Sequence, residues 1–126
     1  MGREGHLRLL RLFHYILATV FYLIAFLFVM IWVIPGLIAI VHGQPIGWMF
    51  LVGGLFSGGL ATLLADLHRR SATAAIEGRR RILQTTLAIL HFCNVPIGTA
   101  FAVYTLYLCW FHQPTKVFFD VHDSRL

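Results

Sequence analysis

The chain has 126 residues, 59% of them hydrophobic and only 12% charged, with a net charge of +5. Soluble domains are about 45–50% apolar and about 25% charged, so the composition excludes an ordinary water-soluble globular domain. The basic residues flank apolar runs instead of gathering on one folded face, which excludes a nucleic-acid-binding surface.

Arg3, Arg8 and Arg11 precede the first apolar run, and no Asp, Glu, Lys or Arg follows from Leu12 to Ala65. An ionised side chain at the bilayer centre costs about 2.5–3.5 kcal/mol on insertion scales, and that cost explains the segregation. The pattern predicts a first span over residues 12–41, long enough for a hydrocarbon core of about 30 Å. It is expected to bend at Pro35-Gly36, where the proline removes a backbone donor. The run is too long for a secretion signal and has no small-residue cleavage site, so it reads as an uncleaved anchor.

A polar turn, His42-Gly43-Gln44-Pro45, leads to a second predicted span over residues 47–67, opened by the interfacial residue type Trp48. Gly54 and Gly58 form a GxxxG pair, and Ala61 and Ala65 continue the same helical face. Small residues let helix backbones approach closely in lipid. The expected contact is another helix of the same chain; the alternative is a second copy or a partner helix.

Residues 68–81, HRRSATAAIEGRRR, are expected to form a basic loop, cytoplasmic by the positive-inside rule. The arginines before the first span put the N-terminus on the same side. Arg69, Arg70, Arg79, Arg80 and Arg81 are candidate contacts for anionic lipid head groups.

Ile82 to Phe111 is again apolar and free of charge. As one straight helix it would be about 45 Å long, too long for one crossing without strong tilt. A structural turn is predicted at Asn94, Pro96 and Gly98. Pro96 lacks a donor, Val95 before it is pushed out of the α region, and Pro and Gly stand where a type I turn favours them. Asn94 is suited to cap the next helix. The expected fold is therefore an all-α integral membrane bundle, a single transmembrane domain of four helices over residues 12–41, 47–67, 82–93 and 97–113. The alternative is three helices with a kinked last one. The tail, residues 114–126, suits a short amphipathic piece at the interface or a docking strip for a partner. Cys93 and Cys109 read as buried thiols rather than a disulfide.

Several short strings recur together in one group of proteins: HLRLL (His6 to Leu10) followed by FHY (Phe13 to Tyr15), and GW (Gly47-Trp48). To these add PIGT (Pro96 to Thr99), YTL (Tyr104 to Leu106) and the tail from Pro114 to Phe119. On these residues the chain resembles a family of short, uncharacterised bacterial membrane proteins. The resemblance implies a multi-spanning helical fold and brings no activity or catalytic residue with it.

Histidines are the reactive set. His14, His68, His91 and His112 are candidate ligands of a haem or a chlorophyll-type pigment, because two histidines at matched depth on facing helices can hold one. No two histidines stand four apart, so no helix-borne metal site is expected. The carboxylate nearest the spans, Asp66, sits at the edge of the second, and no catalytic residue is expected. The leading expectation is a non-catalytic accessory or structural subunit of a larger complex in the bacterial inner membrane. It would need no cofactor, and its partners would be membrane lipids and other membrane subunits or a second copy. The alternatives are a haem- or pigment-binding subunit of a redox or photosynthetic complex, and a small carrier or channel.

Overall fold

The structure, a computed structural model, describes residues 2–92 and 97–123. Every regular element among them is helical. Two helical runs, Arg3–Val41 and Ile46–Glu77, are long and apolar enough to cross a membrane. The chain divides into two compact units, Leu17–Leu67 and Met1–Ile16 together with His68–Leu126.

Within Leu17–Leu67, helix α1 (Arg3–Phe28) passes through a π-helical turn, Val29–Val33, into α2 (Ile34–Val41). The Ile34 N–H reaches the Val29 carbonyl, five residues back. Pro35 explains the widening: it offers no N–H to the Ile31 carbonyl, and its ring crowds that oxygen. The proline thus remodels the helix without ending it. The helix ends at Gly43, where φ is 72°, and the Gln44 N–H bonds the Ala39 carbonyl at 2.9 Å, a Schellman closure.

Helix α3 (Ile46–Glu77) then returns antiparallel to α1 and α2. The backbones come close at Gly36 and Gly47: a Cβ on Gly47 would lie 2.6 Å from the Gly36 carbonyl oxygen. A Cβ on Gly54 would lie 2.8 Å from the Trp32 Cβ, and one on Gly58 would be 3.6 Å from the Ala25 carbonyl and from Phe28. Ala61 and Ala65, on the same face, are buried. Gly54 and Gly58 therefore face the chain's own first helical run.

In the other unit, α3 continues past its apolar stretch to Glu77. Residues 68–77, expected as a loop, are helical. The stretch holds three alanines, Ala72, Ala74 and Ala75, all buried, and no Gly or Pro before Gly78. Basic composition did not decide the backbone conformation here. The helix stops at Gly78 (φ 67°), with the Arg79 N–H on the Ala74 carbonyl at 2.9 Å.

Helices α4 (Arg81–Phe92) and α5 (Ile97–Leu106) follow; a π-helical turn, Tyr107–Phe111, extends α5. The two pack antiparallel. The Trp110 indole donates to the Thr85 hydroxyl at 3.0 Å, the Cys109 thiol to the Gln84 side-chain carbonyl at 3.9 Å, and the His91 and Phe101 ring centres are 5.7 Å apart. Of the expected turn residues, Asn94 and Pro96 lie outside the described residues. Gly98 is buried in the first turn of α5, and the Thr99 hydroxyl donates to the Phe92 carbonyl at 2.8 Å.

The tail is a helix, α6 (Gln113–Asp123). Its Phe119 is fully buried in a cluster with Leu7 and Cys109, and Phe118 packs on that cluster. Phe118 and Phe119 therefore help to close this unit, while Val117 and Val121 stay exposed. Asp123 at its end accepts from the Arg80 and Arg81 amides at 2.8 and 3.2 Å, capping α4.

Candidate functional site

Three histidines from three helices meet inside the unit that holds both chain ends: His14 on α1, His68 on α3 and His91 on α4. All are buried. His14 Nδ1 and His68 Nδ1 are 2.9 Å apart, and His68 Nε2 and His91 Nε2 are 2.7 Å apart. The Ser71 hydroxyl is 3.3 Å from His14 Nε2. His68 and Ser71 are three residues apart, so both project from one face of α3. Phe101 closes the cluster edge-on, its ring centre 5.2 Å from that of His14 and 6.2 Å from that of His68.

A neutral imidazole carries one N–H and one bare nitrogen. At each nitrogen–nitrogen contact one ring must donate and the other accept. His68 bonds through both nitrogens, so it donates to one neighbour and accepts from the other. The direction of the whole row is then set at once. If Ser71 donates to His14, then His14 donates to His68 and His68 to His91; the reverse register runs the other way. Each register satisfies the buried polar atoms along the row. A proton entering at one end and leaving at the other converts one register into the other.

The same distances do not suit an axial pair. Metal–imidazole bonds of about 2.0–2.1 Å put opposed ligand nitrogens about 4 Å apart, with the macrocycle between them. Here the rings bond each other directly. His112, the fourth candidate ligand, stands apart from this row. Its Nδ1 is 2.8 Å from the Thr115 hydroxyl at the start of α6, and its ring packs on His6 at 5.0 Å. Among the described residues, no group of three or more His, Cys, Asp or Glu has metal-holding geometry.

Four of the five candidate lipid-contacting arginines, Arg69, Arg70, Arg79 and Arg80, line one cleft of about 660 Å³. Arg81 does not. Its guanidinium pairs with Asp120 and lies 4.3 Å over the Trp110 ring centre. The cause is local: Arg81 opens α4, and its side chain follows that helix toward α5 and α6. Sequence reasoning also missed Ser71, Phe101, Tyr15 and Thr73. Ser71 alone had a signal, its i+3 spacing from His68.

No protein family model, no curated protein and no solved structure matches this chain.

Proposed function

We propose that the chain is a multi-pass protein of the bacterial cytoplasmic membrane, serving without catalysis as a subunit that packs at the edge of a larger membrane assembly. The outward faces of the long helices support the membrane setting. Ile31 is 61% exposed, Val52 62%, Phe56 73% and Val41 83%. Burying such a side chain is worth about 1.5–3 kcal/mol, so these faces belong in lipid or against other subunits. In this reading α1–α2 and α3 are the first two crossings. The antiparallel α4–α5 pair packs along the start of α1, with Phe101 on His14 and Tyr104 on His6, and returns α6 to Leu7. Arg81 stacked on Trp110 forms an interfacial anchor of the usual chemistry for that depth.

One observation carries the subunit role. An open apolar groove of about 420 Å³ runs along the hairpin of Leu17–Leu67, lined by Tyr22, Phe26, Gly54, Gly58, Gly59 and Thr62. Gly54 and Gly58 face the chain's own helix, whereas Gly59 is open, and a glycine so placed lets a second helix come close in lipid. A Cβ on Gly59 would meet nothing within 4 Å, so the position tolerates a side chain in the isolated chain. The test is purification from source membranes in native lipid discs. A stoichiometric membrane partner should accompany the wild type and be lost with Gly59→Leu at unchanged expression. A wild-type chain that emerges alone refutes the reading.

The histidine row favours a second reading, proton transfer as part of a small carrier or channel. Its test is proton uptake by vesicles holding the purified chain, abolished by His68→Leu.

A further inference from the structure

We propose that the arginine cleft at the end of α3 is a binding site for an anionic phosphate head group, and that a membrane lipid supplies it. This rests on the chain lying in a membrane, but it does not depend on any partner subunit.

Four arginines line the cleft, Arg69 and Arg70 on α3 and Arg79 and Arg80 on the turn that follows. The hydroxyl-bearing residues Tyr15 and Thr73 line it as well. Among the described residues that line it, Glu77 is the one carboxylate. Arginine presents paired N–H donors in a planar fork that matches phosphate oxygens, and such charge-assisted bonds are about twice as strong as neutral ones. The cytoplasmic leaflet is where anionic head groups and basic segments meet.

Arg80 gives a second line of argument. Its φ is +57°, the left-handed region where glycine is at ease and a side chain is strained. Gly78, two residues earlier, takes the same sign of φ without that strain. The backbone amide of Arg80 is held by Asp123, and that bond is available to any residue except proline. The fold therefore needs this conformation but not this side chain. What the arginine adds is a cation on the cleft wall.

Fold and binding thus make opposite demands at position 80, and one substitution separates them. Purified chain in detergent would be titrated with phosphatidylcholine, phosphatidylglycerol, diphosphatidylglycerol and inorganic diphosphate, with bound species counted by native mass spectrometry. Diphosphatidylglycerol should bind at least about tenfold more tightly than phosphatidylcholine. Arg80→Gly should weaken that binding by about tenfold to a hundredfold, the scale of one charged hydrogen-bonding group, while the unfolding midpoint stays level or rises. Lys116→Gln removes the same charge outside the cleft and should leave binding unchanged. Equal binding by Arg80→Gly and wild type overturns the site. Equal losses in Arg80→Gly and Lys116→Gln overturn it in favour of diffuse attraction. Inorganic diphosphate binding as tightly as the lipid overturns the lipid assignment.

Discussion

Replacing His68 with leucine removes the one ring that bonds in both directions. Leucine is close to histidine in size, so the substitution changes polarity more than volume and leaves little cavity. His14 Nδ1 and His91 Nε2, now 2.9 and 2.7 Å from His68, each lose that partner inside a buried cluster. Interhelical hydrogen bonds in membrane proteins average about 0.6 kcal/mol, so two of them set a floor near about 1 kcal/mol. Orphaning a buried polar group costs about 1–3 kcal/mol, which puts the ceiling near about 6 kcal/mol for two. The measurement is reversible unfolding in mixed detergent and dodecyl sulfate micelles, followed by circular dichroism. The combined variant His14→Leu, His68→Leu, His91→Leu separates pairing from packing. Removing all three rings leaves no imidazole nitrogen in the cluster to orphan, so this variant should be more stable than His68→Leu alone. A His68→Leu protein within about 0.5 kcal/mol of wild type, or a triple variant showing the simple sum of three losses, would refute the account of a mutually satisfied row.

Gly47→Ala should destabilise the Leu17–Leu67 hairpin by about 1–3 kcal/mol, the usual penalty of overpacking, because the new methyl would meet the Gly36 carbonyl at 2.6 Å. Gly59→Ala, with open space around it, should be neutral to about 1 kcal/mol stabilising in the same unfolding assay. Asp123→Ala should lower stability by about 0.5–2 kcal/mol through loss of the α4 cap. Faster hydrogen exchange at the Arg80 and Arg81 amides would locate the effect. Arg81→Gln should lower the unfolding midpoint and leave lipid binding intact, since its guanidinium is engaged by Asp120 and Trp110 and not by the cleft.

The helical class and the two long apolar runs were legible because the cost of ions in hydrocarbon acts residue by residue along the chain. The same composition misled at residues 68–77. Basic flanks report which side of a membrane a segment favours, while the helix is decided by propensity and by where the first Gly falls. The tail was read as apolar beside charge, yet only a packed neighbour such as Leu7, more than a hundred residues away in sequence, makes Phe119 a core residue.

The candidate site divides in the same way. Sequence singled out His14, His68 and His91, because each is a polar ring next to or within an apolar run. It could not order them. Their spacings, 54 and 23 residues, have no helical period, so which ring meets which, and the exclusion of His112, depend on how α1, α3 and α4 pack. Arg80 shows the division most plainly. Its charge is written in the sequence, but its left-handed backbone and its place in the cleft beside Tyr15 arise only when Gly78 ends α3 and Asp123 catches the turn. Local free energies are additive along a chain and can be read from it; contacts between distant residues exist only once the chain has folded.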